Sequence, residues 1–145
     1  MPVTNPWKSY RRIAAQTAPP GQLVLMLFDA ALLSLNRALL GFDMNEVGER
    51  NVAIHNNLQH AVDILRELNW SLDLEAGGQL AQTLRSLYTF FERRIVESNV
   101  KKSRKGVDEV LPMITSLRDA WFQMLNTGNP GPALADWTTN RLVNS

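Results

Sequence analysis

The stretch GGQLAQTLRSLYTFFERRI, Gly77 to Ile95, decides the fold class. Leu80, Leu84, Leu87, Phe91 and Ile95 recur at spacings of four and three, which places them on one face of an α-helix. The glycine pair ahead of them reads as a tight turn, because no G-x-G-x-x-G or Walker pattern surrounds it and glycine lets a helix begin abruptly. Working outward, Val107, Val110, Ile114, Leu117, Trp121 and Met124 mark a helix downstream, and Ile54, Leu58, Ala61, Leu65, Leu68 and Leu72 mark one upstream. An apolar run from Leu23 to about Leu40 follows Pro19 and Pro20 and forms the first helix. Junctions as short as 41–46, 73–78 and 98–103 leave consecutive helices to pack antiparallel. The pattern predicts an all-α fold, an antiparallel up-down-up-down four-helix bundle over 19–126. A short helical arm at 1–18 precedes it, and a mobile tail at 127–145, with Trp137 docked on the bundle, follows. Pro112 lies inside the fourth helix, where it predicts a kink near Asp108 to Pro112, or a separate turn with the regular helix starting near Leu111.

Composition narrows the function classes. The chain has 145 residues, 45% hydrophobic and 20% charged, enough for one domain with a sizeable core. Fifteen basic against 14 acidic residues leave a net charge of +1, which does not suit a protein built to neutralise nucleic-acid phosphates. The one basic cluster, KKSRK at 101–105, has no interleaved aromatic residue and reads as a solvated corner at the end of the third helix. With no cysteine there is no disulfide, thiolate ligand or cysteine nucleophile. The start of the chain lacks the apolar core of a secretory signal. The run Leu23 to Leu35, interrupted by Asp29 and Ser34, falls short of the roughly 20 apolar residues that span a bilayer. The expectation is a cytosolic protein with no membrane insertion.

Motifs for chemistry are missing. His55 and His60 are five apart, about 140° around a helix, so they do not share a metal as an i, i+4 pair would. No E-x-x-H pair or G-x-S-x-G context occurs. The reading is a non-enzyme without metal or cofactor. Apolar surface, in contrast, is in excess. Leu23 to Phe28 cover every direction around the first helix, and Tyr88, Phe90 and Val96 project away from the core stripe of the third. These are either wide core faces or a binding surface.

The order of features resembles the flagellin export chaperone family, FliS, from Tyr10 to Trp121. The family's tyrosine, T-A-S-P segment and L-I-L-M-L-Y-D-G-A-L helix correspond to Tyr10 and QTAPPGQLVLMLFDAAL, Gln16 to Leu32. Its acidic-G-G-x-x-A-x-N-L-x-x-L-Y segment corresponds to LEAGGQLAQTLRSLY, and its R-R-L-x-x-A-N junction to RRIVESN, Arg93 to Asn99. Its E-E-V and D-x-W elements correspond to Asp108 to Val110 and Asp119 to Trp121. Phe28 and Ala30 stand where the pattern has tyrosine and glycine. The resemblance implies a cytosolic chaperone that binds the disordered C-terminal segment of flagellin, prevents premature polymerisation and assists flagellar type III secretion. It also implies contact with the export apparatus. The alternative from another class is a structural or regulatory bundle that associates with itself and has no exported client.

On this reading Tyr10, Ile13, Leu23, Leu27, Tyr88 and Asn99 contact the client, Tyr88 as an amphipathic anchor and Asn99 through its amide. Trp7, Tyr10 and Ile13 fall at spacings of three, so the arm is expected to form one short amphipathic helix that shields the client-binding surface until it is displaced. Asp29, a lone carboxylate on the most apolar helix, is expected to be held by Arg93 or Arg94.

Overall fold

The computed structural model describes residues 20–127 apart from Asp73 and Ala76. The expected arm, 1–18, and nearly all of the expected tail lie outside the described residues, and with them Tyr10, Ile13 and Trp137. Four helices, and no strand, occur among the described residues: α1 Pro20–Phe42, α2 Val47–Trp70, α3 Gly78–Lys101 and α4 Lys105–Thr127.

Each junction is built by local chemistry. Glu46 caps α2: its carboxylate accepts hydrogen bonds from the backbone N–H groups of Gly48 and Glu49, satisfying two donors that the first helical turn leaves open. Those bonds favour the ionised form and hold the Glu46 carboxyl below its ordinary pKa. Gly78 opens α3 at φ 55°, the left-handed region that glycine enters without steric penalty, so the abrupt start expected of the glycine pair is present. Lys102 ends α3 in the same region at φ 49°; its N–H bonds to Asn99 O, and its ammonium reaches Asn99 O and Oδ1, both at 2.7 Å. Three residues then suffice to start α4, whose Val107 N–H donates to Ser98 Oγ at 3.1 Å.

The helices close a square in which α1 and α3 each pack on α2 and α4. Rising numbers on α1 meet falling numbers on α4, Gly21 with Trp121 and Asp29 with Arg118, and just beyond the helix ends Asp43 meets Arg104. The same order relates α2 to α3, where His55 meets Asn99 and Arg66 meets Glu92. These pairings establish the antiparallel bundle. Phe28, Leu35, Leu58, Leu65, Phe91 and Leu117 fill its centre with no solvent exposure or almost none.

Three expectations are corrected. α4 runs unbroken from Lys105 to Thr127 with Pro112 inside it, neither a separate turn nor a late start at Leu111. Pro112 is exposed, so its ring points to solvent while Val110, Met113, Ile114 and Leu117 keep the helix seated on the core. Tyr88 does not project away from the core. It lies only about 40° from Leu84 around the axis, is 2% exposed, and packs across the bundle on Phe28 with ring centroids 6.2 Å apart. Finally, the segment Gly21–Phe42 is, by length and composition, long and apolar enough to cross a membrane, whereas the run of apolar residues alone looked too short. Here its inward positions Phe28, Ala31, Leu35 and Ala38 are buried against the other helices, as in the core helix of a bundle.

Candidate functional site

The apolar surplus of α1 divides into two faces. The inward face is core. On the outward face Asp29, Leu33, Asn36 and Leu40 follow one another at spacings of four, three and four, so they form one stripe beside α4. Leu33 is 51% and Leu40 70% exposed. Across the groove, α4 contributes Leu111, partly buried, then Arg118 and Phe122, the last 44% exposed. One ion pair spans the two helices: Arg118 Nε donates to Asp29 Oδ1 at 2.7 Å. The Arg118 guanidinium also sits over the Phe122 ring, 5.0 Å from its centroid, so one side chain orders both the polar and the aromatic part of this wall.

Asp29 therefore has Arg118 as its partner, not Arg93 or Arg94. Arg94 turns to α4 instead, where Nη2 lies 2.7 Å from Glu109 Oε2, and Arg93 lies over the Phe90 ring. The reason is the square: α1 and α3 are diagonal, and an arginine on the outer face of α3 cannot reach the α1/α4 groove.

The residues singled out from the sequence are not gathered in one place. Leu27 and Tyr88, each 2% exposed, belong to the core and are inaccessible to a partner that leaves the bundle intact. Leu23 is half-buried on α1. Asn99 lies on the α2/α3 side, where its amide Nδ2 is 3.0 Å from His55 Nδ1 and donates to that ring nitrogen when it is unprotonated. Its carbonyl atoms are taken by Lys102. Tyr10 and Ile13 lie outside the described residues. Leu33, Leu40 and Phe122 are not among the residues expected to contact the client; their spacing alone does not tell an outward stripe from an inward one when nearly every position of α1 is apolar.

Burial pushes the Tyr88 phenol well above its ordinary pKa, because the charged form would be desolvated. Among the described residues no group of three or more His, Asp or Glu side chains could hold a metal ion. The geometry offers an exposed apolar stripe along α1 and α4 with one ion pair between the two helices.

Residues 3–128 match the model of the family described as flagellar protein FliS. The chain is 30% identical over 127 residues to the flagellar secretion chaperone FliS of Bacillus subtilis, covering 88% of this chain and 91% of the relative. It is 33% identical to the protein of the same name from Salmonella typhimurium, over 81% of this chain and 87% of the relative. With the Escherichia coli protein the identity is 34%, over 77% and 80%. The chain, a four-helix bundle matched over nearly its whole length by these proteins, belongs to the FliS family of flagellar secretion chaperones.

Proposed function

We propose that the protein is a cytosolic export chaperone that binds the disordered C-terminal segment of flagellin, delays its polymerisation and hands it to the flagellar secretion apparatus. The observation that carries this reading is the exposed apolar surface along α1 and α4, with Leu33, Leu40 and Phe122 open to solvent. A client segment whose apolar residues recur at i, i+3 or i+4 and i+7 lays its apolar face onto such a surface and is shielded from other copies of itself. Ordering the segment on binding costs about 2–5 kcal/mol, which keeps the complex reversible, as a cargo that must be released requires. The Asp29–Arg118 pair sits within the groove and supplies the polar contact that sets the register. Of the residues chosen from the sequence, half-buried Leu23 and the arm residues Tyr10 and Ile13 remain part of this proposal. Leu27 and Tyr88 support it only from beneath, by shaping the core.

Titration of a labelled flagellin C-terminal segment tests it. The double variant Leu33→Asp, Leu40→Asp is expected to keep its helical circular dichroism and lose at least about tenfold in affinity, some 1.4 kcal/mol. Equal binding by the folded double variant would overturn the assignment of the groove. Absence of binding by the parent chain, together with concentration-dependent self-association, would favour the self-associating bundle.

A further inference from the structure

On the opposite side of the square, the α2/α3 face has a different character. Near the end of α2 a groove of about 470 Å³ is lined by Arg66, Asn69, Trp70, Leu72, Leu74 and Arg85. Trp70, the last residue of α2, is 86% exposed, the most exposed of the large apolar side chains among the described residues. Among the described residues the lining holds two guanidinium groups and no carboxylate. Arg66 engages Glu92 of α3 through Nε at 2.8 Å, and Arg85 makes no ion pair among the described residues. The neighbouring carboxylates Glu67 and Glu75 have partners of their own.

From this juxtaposition we infer a second docking site, on the face away from the client groove, for an acidic segment of a partner protein that carries an apolar side chain beside its carboxylates. Charge complementarity selects the occupant. A planar guanidinium takes a carboxylate in a two-pronged hydrogen bond, and an exposed indole ring beside it gives the apolar side chain a flat surface to cover. Tryptophan and arginine are the residues that most often dominate binding energy at interfaces. The chain's own arm is basic, with Lys8, Arg11 and Arg12, and is repelled by the same two arginines. Because α2/α3 and α1/α4 are opposite sides of the bundle, both sites accept their ligands at once.

The test uses the full chain and fluorescence anisotropy with a short synthetic peptide of glutamates and leucines at helical spacing, against a counterpart with every glutamate replaced by lysine. Binding of the acidic peptide only is expected, weakened about tenfold or more by Arg85→Glu and by Trp70→Ala. The variant Leu33→Asp, Leu40→Asp should bind it normally, and a bound flagellin segment should not displace it. Both groove substitutions alter exposed side chains, and a circular dichroism melt confirms that the bundle persists. No binding of the acidic peptide overturns the inference, as does a loss caused by Arg11→Glu, Arg12→Glu in place of the groove variants. A dimer that Trp70→Ala dissociates would assign the groove to a second copy of the chain and overturn it as well.

Discussion

Gly106 has no room for a side chain. A Cβ there would meet the Arg94 carbonyl oxygen at 2.3 Å and Ser98 Oγ at 2.5 Å, so α3 and α4 approach closely only because the residue is glycine. Backbone cannot move aside as a flexible side chain can. Gly106→Ala is therefore expected to destabilise the bundle by about 1–3 kcal/mol, read from the urea midpoint. A midpoint equal to the parent's would mean that the junction has slack. Asp29 presents the opposite case. Breaking a buried ion pair costs several kcal/mol, but the Asp29 side chain is 49% exposed and its partner Arg118 is 27% exposed. Water screens such a pair, so Asp29→Ala should lower stability by less than about 1 kcal/mol, and less still at high salt. A larger, salt-independent loss would show that the pair carries structural weight beyond its exposure.

At the scale of the helix, α4 tolerates a residue that its own backbone does not favour. Pro112 has no N–H for the Asp108 carbonyl, and a proline in a helix interior costs about 3 kcal/mol relative to alanine. The helix continues because its inward face, Val107, Val110, Met113, Ile114 and Leu117, is buried on both sides of the proline. Pro112→Ala restores the hydrogen bond at an exposed position and is expected to raise stability by roughly 1–3 kcal/mol in thermal and urea melts. An unchanged or lower melting temperature would show that the proline fits a local geometry the rest of α4 requires. The basic residue just before α4 also finds its reason in contacts. Arg104 lies 3.0 Å from Asp108 and 4.0 Å from Asp43, so it ties the turn before α4 to the turn between α1 and α2.

Across the whole molecule, the core sets how stability responds to alkali. Tyr88 keeps its proton in the fold to a higher pH than in the unfolded chain, where a tyrosine titrates near pH 10. The neutral phenol's contribution is therefore complete below about pH 10 and is lost as pH rises from there toward the folded value. In that window the unfolded state releases a proton that the folded state retains, and stability falls by up to about 1.4 kcal/mol per pH unit. Urea midpoints measured through this range should fall more steeply for the parent than for Tyr88→Phe, which has no phenol to titrate. Parallel slopes would place the alkaline sensitivity elsewhere. The two faces are set at this scale too, since which apolar residues remain exposed depends on where all four helices stand.

Periodicity determined the helices, because a helix of this length must bury a stripe and the spacing of Leu84, Leu87, Phe91 and Ile95 can be read without knowing what covers it. Junction length determined the antiparallel order for the same local reason, and the ordered motifs from Gln16 to Trp121 carried the family. The direction in which each surplus side chain faces was not local. Tyr88 and Leu23 differ from their neighbours by fractions of a turn, and only the packing of α1 across from α3 buries the first while leaving the second half open. Asp29 found Arg118, 89 residues away, because α1 and α4 are adjacent in the square and α1 and α3 are not. Leu33, Leu40 and Phe122 became a groove by the same placement: a sequence states how much apolar surface a chain has, and only the assembled helices decide which part of it water can reach.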